Sequence, residues 1–127
     1  MKKKYSSSWK GSSKARKQRK YRFNAPLHIK QKFMSSHLSK ELRAKHKLRS
    51  VQLRKGDKVK IARGQFKNKT GKVDRIDLKS ERVYISSIEI IKKDGSKVLY
   101  PLHPSNLVIQ ELNLDDKKRK EKLKETK

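Results

Sequence analysis

Val59-Lys60-Ile61-Ala62-Arg63-Gly64-Gln65-Phe66-Lys67-Asn68-Lys69-Thr70-Gly71-Lys72-Val73 is the stretch on which the reading of this chain turns. Val59 and Ile61 alternate with Lys60 and Ala62 as a half-buried strand requires, and Val73 opens a second such run. Gly64 and Gly71 stand where the chain leaves one strand and enters the next, places that need a positive φ or close backbone approach. Asn68 is a third candidate for left-handed backbone, because its short amide tolerates that region. Arg63, Lys67, Lys69 and Lys72 then project from a tight connection, an arrangement suited to gripping phosphates. An ordinary hairpin with solvated lysines fits the same residues.

Downstream the alternation continues. Strands are predicted at 57–63, 71–78, 82–85, 88–93, 97–102 and 107–111, with Asp94-Gly95 as the turn between the fourth and fifth. Their candidate core is Val59, Ile61, Val73, Ile76, Val83, Ile85, Ile88, Ile90, Val98, Leu107 and Ile109. Pro101 closes one strand, and His103-Pro104-Ser105-Asn106 turns into the last. Short strands in close succession, with no room for crossover helices, imply a mainly β fold built as a small antiparallel barrel over residues 51–112.

Charge divides the 127 residues differently. Lys plus Arg outnumber Asp plus Glu by 17 to 1 in residues 1–50, by 14 to 7 in 51–112 and by 7 to 4 in 113–127, for a formal net charge of +26. The first fifty residues repel themselves and call for a polyanion, of which nucleic acid is the foremost candidate. A membrane surface is disfavoured because no long segment sets leucine, phenylalanine and tryptophan opposite its lysines, and no apolar run is long enough to span a bilayer. Without an apolar stretch behind the basic N-terminus, secretion is not expected, and the absence of cysteine fits a cytosolic protein.

Residues 1–23 are rich in serine and lysine and bury too little to offset chain entropy, so they are expected to be disordered when free. Tyr5, Trp9, Tyr21 and Phe23 interleave with their cations, as side chains that stack on unpaired bases do. Asn24 is expected to cap a helix with Pro26 in its first turn and an apolar stripe of Ile29, Phe33 and Met34, with Lys30 and Lys32 pointing elsewhere. Ser35-Ser36-His37-Leu38-Ser39 interrupts it, and Ser39 caps a second short helix over 40–47, with Leu38, Leu42 and Leu48 docking on the domain. The candidate RNA contacts of this arm are Lys10, Lys14, Arg16, Lys17, Arg19, Lys20, Arg22, His28, Lys30, Lys32, Lys40, Arg43 and Lys45; those of the loop are Arg63, Lys67, Asn68, Lys69 and Lys72. Residues 113–127 read as a charged helical tail capped by Asn113 or Asp115, frayed because Leu123 alone cannot anchor it.

No catalytic constellation emerges. His28, His37, His46 and His103 have no zinc-site spacing, and the loop lacks a Walker A pattern, so neither metal nor cofactor is called for. Asp74, Asp77 and Glu81 admit a magnesium-dependent nuclease, but ion pairs with Arg75, Lys79 and Arg82 explain them more simply. A DNA compactor shares the charge, whereas a transcription elongation factor would need a polymerase-binding domain for which there is no room.

Residues 58–78, with Gly64, Lys67 and Gly71-Lys72-Val73, resemble the KOW motif, in which Asn68 here replaces the usual glycine. Arg16-Lys17-Gln18-Arg19-Lys20, Phe23-Asn24-Ala25-Pro26-Leu27-His28-Ile29, Met34-Ser35-Ser36 and Leu38-Ser39-Lys40-Glu41-Leu42-Arg43 are similar to the N-terminal extension of the archaeal and eukaryotic type of ribosomal large-subunit protein twenty-four, called twenty-six in older eukaryotic naming. His103-Pro104-Ser105-Asn106-Leu107-Val108-Ile109 and Leu114-Asp115 match that family too; residues 1–13 are an extension for which it implies no role. The resemblance implies an SH3-like barrel and a non-enzymatic protein of the cytoplasmic ribosome. Such a protein binds the 5′ region of large-subunit ribosomal RNA, acts early in subunit assembly and lies near the nascent-chain exit tunnel. Its partners would be that RNA and neighbouring ribosomal proteins. It would sit in the particle as a monomer, with no membrane and no small-molecule substrate.

Overall fold

The computed structural model describes residues 5–124; the ends of both basic tails lie outside the described residues. Its chain order is α1 (Ala15–Asn24), α2 (Leu27–Phe33), β1 (Ser35–Leu38), α3 (Lys40–His46), β2 (Ser50–Gln52), β3 (Lys58–Ile61), β4 (Thr70–Asp77), β5 (Arg82–Ile85), β6 (Glu89–Ile91), β7 (Lys97–Leu99), β8 (Leu107–Glu111) and α4 (Lys117–Lys124), with single 3-10 turns at Ser7–Gly11 and Pro104–Asn106. Six strands form one sheet in the order β2-β1-β8-β3-β4-β5, and β6 pairs only with β7. The fold is therefore mainly β, with short helices before β1, between β1 and β2, and after β8.

Alternation sets the register. Val59 lies opposite Ile109 and Ile61 opposite Leu107, and all four are fully buried. Val73, Val83, Ile85 and Ile88 extend this core, and Met34, Leu38, Leu53, Phe66 and Leu102 complete it. Each such side chain contributes about 1.5–3 kcal/mol by leaving water. The long strand β4 pairs with β3 through 70–72 and with β5 through 73–77, and its register shifts between Val73 and Arg75. That irregularity bends the sheet over its own core.

Several expectations need correction. The sheet is not wholly antiparallel, because β1 runs parallel to β8, and the ladder does not close, since β2 and β5 are its outer strands. The stretch expected to interrupt two helices is β1 itself. It alternates as any strand does, but Ser36 takes a core position, its hydroxyl donating to the Pro104 carbonyl at 2.6 Å. Ile90 and Val98, placed in the core by their alternation, are 40% and 42% exposed because the β6–β7 hairpin stands apart from the sheet.

The tail expected to lack order carries α1. Gln18 ties it to the preceding turn by donating to the carbonyls of Lys10 at 3.0 Å and Ser12 at 2.7 Å. Tyr21 is buried between the rings of Tyr5 and Phe33, with centroids 5.2 and 5.9 Å away. Asn24 ends α1 rather than capping α2; Ala25, before a proline, is held extended, and the Pro26 carbonyl accepts from Ile29 and Lys30. Ser39 caps α3 as expected, accepting from the Leu42 amide.

The C-terminal helix is anchored, not frayed. Arg119 donates to both oxygens of Asp57, at 2.7 and 2.8 Å, where the carboxylate is fully buried at the start of β3. Its guanidinium also donates to the carbonyls of Asn113 and Gln52, and Leu123 is buried one turn on. Asp57 further accepts the amides of Arg54 and Asn113. A buried carboxylate with four donors, two of them from a forked cation, is fully compensated, which is the condition for burying charge at all. Asp116, paired with Arg54, caps the helix instead of Asn113 or Asp115.

Candidate nucleic-acid interface

Between β3 and β4 the chain folds back on a small set of backbone bonds. The Ile61 amide donates to the Lys69 carbonyl at 2.9 Å, and the Asn68 amide to the Ile61 carbonyl at 2.8 Å. Inside that closure the Lys67 and Lys69 amides donate to the carbonyls of Gly64 and Phe66. Gly64 and Asn68 hold φ of 96° and 70°, the left-handed positions read from the sequence. Gly71 serves by close approach: a Cβ there would collide with Ser87 Oγ and Ile85 Cγ2. The aromatic ring of Phe66 is the loop's anchor, buried against Tyr100 with centroids 5.1 Å apart.

Outward from this scaffold point Arg63, Lys67, Lys69 and Lys72, all exposed, with Asn68 among them. The Lys69 ammonium lies 5.2 Å from the centre of the Phe66 ring, which steadies it without removing it from solvent. Three cations on a hydrogen-bonded loop with an aromatic root, and Lys72 just inside β4, present a positive surface on a fixed backbone. Fixing them beforehand lowers the side-chain and loop ordering cost of binding a phosphate backbone.

A second basic surface lies on the N-terminal elements. Lys14, Arg16, Lys17 and Lys20 line one shallow concavity, with Lys10, Arg19 and Arg22 exposed nearby in sequence. The Lys17 and Lys20 ammoniums lie 4.6 and 5.0 Å from the Trp9 ring centre. Arg22 is tied to the sheet: it pairs with Glu81 at 2.5 Å and lies over Phe33. On α2, His28 and Lys32 are exposed, but Lys30 is not; it is 8% exposed and its ammonium donates to the Lys79 carbonyl at 3.4 Å. Lys40, Arg43 and Lys45 are exposed on α3, though Arg43 also donates Nε–H to the Leu38 carbonyl at 2.9 Å. Of the aromatics set aside for base stacking, Tyr5, Trp9 and Tyr21 are engaged within the chain, while Phe23 is 82% exposed.

The acidic residues are dispersed rather than convergent. Asp74 faces Lys55 at 4.0 Å, Glu81 takes Arg22, and Asp77 accepts the Ser80 hydroxyl at 2.6 Å and the Lys79 amide at 2.9 Å. Of the sequence neighbours expected, Lys79 recurs through its backbone amide rather than an ion pair, and Arg75 acts on Asp77 only through its charge. The Ser80 hydroxyl, then its amide, hold the Asp77 carboxyl below its ordinary value. Among the described residues no three His, Asp or Glu side chains gather where a metal ion would sit, and no helix is long and apolar enough to cross a membrane.

Asp57, Phe66 and Arg119 are the residues that sequence reasoning missed. Each hides inside a charged run, where hydropathy averages out; only the alternation starting at Asp57 gave a partial signal.

Residues 12–126 match the family model described as the ribosomal proteins L26 of eukaryotes and L24 of archaeal type. The chain is 47% identical over 112 residues to the large ribosomal subunit protein uL24 of Methanosphaera stadtmanae, covering 88% of this chain and 96% of that protein. It is 47% identical over 108 residues to the uL24 of Methanothrix thermoacetophila, covering 85% and 93%. The family-model match spans the loop, the basic arm from residue 12 and α4 together. The chain belongs to the family of eukaryotic L26 and archaeal L24 ribosomal proteins, a structural and non-enzymatic family.

Proposed function

We propose that the protein is a structural constituent of the large ribosomal subunit that binds the 5′ region of large-subunit ribosomal RNA. It acts there early in assembly, near the exit tunnel, as a cytoplasmic monomer among neighbouring ribosomal proteins. The bent sheet is the core of an SH3-like fold, and 58–78 is its KOW segment. The observation that carries the reading is the loop: Arg63, Lys67 and Lys69 stand exposed on a connection closed by backbone hydrogen bonds and rooted by Phe66, with Lys72 exposed at the start of β4. A solvated hairpin has no need of such a root. The exposed cations of α1, α2 and α3 supply a second basic surface and neutralise RNA charge, fixing RNA shape without reading its sequence.

Family membership supports the ribosomal role, since both relatives are named for the large subunit. Sedimentation of a cell lysate, with each fraction probed for this chain, tests it. Co-migration with the large subunit through a high-salt wash is expected. Recovery at the top of the gradient, or with DNA, would overturn it.

A further inference from the structure

The Asp57–Arg119 pair does more than close a core. Eight residues make a marginal helix, and the sequence of α4 works against it: its first turn is basic at the positive end of the helix dipole, and Lys118–Lys122 and Lys120–Lys124 are like charges one turn apart. Alone, this segment is too short and too basic to hold a helix, with Lys117–Glu121 its one opposite-charge pair at i,i+4. It is held by Asp116 at its cap, by Leu123 in the apolar floor and by Arg119 on a fully buried carboxylate 62 residues away. What those anchors present to solvent is nearly all cation.

The geometry points to α4 as a further phosphate-binding ridge for structured RNA, separate from the β3–β4 loop and locked in place by Asp57. Lys117, Lys120 and Lys124 fall at helical spacings of three and seven, on one flank away from the buried Arg119–Leu123 line, and span about 10 Å. Glu121 is the sole carboxylate of the helix. An acidic protein partner would want an apolar centre on this face, but the helix's single apolar side chain, Leu123, is turned inward. Cations without an apolar centre fit a phosphate backbone.

This inference rests on the RNA-binding reading above, and one titration separates the two. Binding of the full-length chain to a large-subunit ribosomal RNA fragment is measured across a salt series, for the wild type and for Lys117→Gln/Lys120→Gln/Lys124→Gln. The triple variant should lower the slope of log affinity against log salt by about two to three and the affinity at about 0.1 M salt by roughly a hundredfold. Its thermal transition should be unchanged, because the three side chains are exposed. Arg119→Ala, which keeps all the lysines of α4 and leaves Asp57 its two amide donors, should also lose affinity by more than tenfold while α4 becomes open to trypsin. A triple variant that binds like the wild type overturns the ridge alone. Wild-type affinity in Arg119→Ala overturns the lock, and a wild-type chain that does not bind the RNA overturns both readings. Crosslinks from Lys117 or Lys120 to protein rather than RNA in the assembled subunit also contradict the ridge.

Discussion

Asp57 concentrates the structural argument at the scale of one residue. Its carboxylate is fully buried and accepts two amides and both arms of Arg119. Asp57→Ala leaves that guanidinium without its counter-charge, and the stability lost should be about 3–5 kcal/mol, read from urea unfolding monitored at the core. A loss under about 1 kcal/mol would mean that α4 is not held through this pair. His103 gives a pH-dependent counterpart. Burial, then the nearby Arg22 and Arg82 cations, push its imidazole below the ordinary value of 6.5, against the pull of Glu81. The folded chain thus prefers the neutral ring, whose Nδ1 accepts the Ser105 amide at 3.3 Å. The unfolded chain takes up a proton first, so stability should fall as pH drops below 6.5 toward the lowered folded value. His103→Gln should remove that part of the slope below about pH 6.5 in urea midpoints. An identical slope in wild type and variant would show that another group carries it.

Among the elements, the β3–β4 loop shows how far sequence alone reaches. Its glycines, its left-handed Asn68 and its outward cations were legible, because punctuation residues and charge act locally. Phe66 was not, since one aromatic in a run of lysines has no period to betray which way it faces. Strand β1 was missed for the complementary reason: its inward positions are Ser36 and Leu38, and a buried serine satisfied by a carbonyl reads as a break in hydropathy. The β6–β7 hairpin erred the other way, its alternation being real but turned to solvent. Phe66→Ala should cost about 3–5 kcal/mol and also weaken RNA binding, because it removes the root that fixes the cations. Full RNA affinity in a destabilised Phe66→Ala chain would mean that the loop needs no preorganisation.

At the scale of the whole molecule, +26 of charge is carried on a chain whose apolar core is small. Long-range pairs offset part of the self-repulsion: Arg22 with Glu81 holds the arm, Lys58 with Glu111 joins the adjacent strands β3 and β8, and Arg119 with Asp57 holds the tail. Sequence composition foretold the surplus, but not these tethers, because each joins residues more than 50 positions apart. What remains is a large excess of cation, which the RNA partner proposed above would neutralise. The most direct test is the salt dependence of RNA binding by Lys67→Ala/Lys69→Ala beside its thermal transition. The expected result is a slope lower by about 1.4 to 1.8, with weaker affinity and an unchanged melt. An unchanged slope and affinity would make the loop a solvated hairpin and contradict the account.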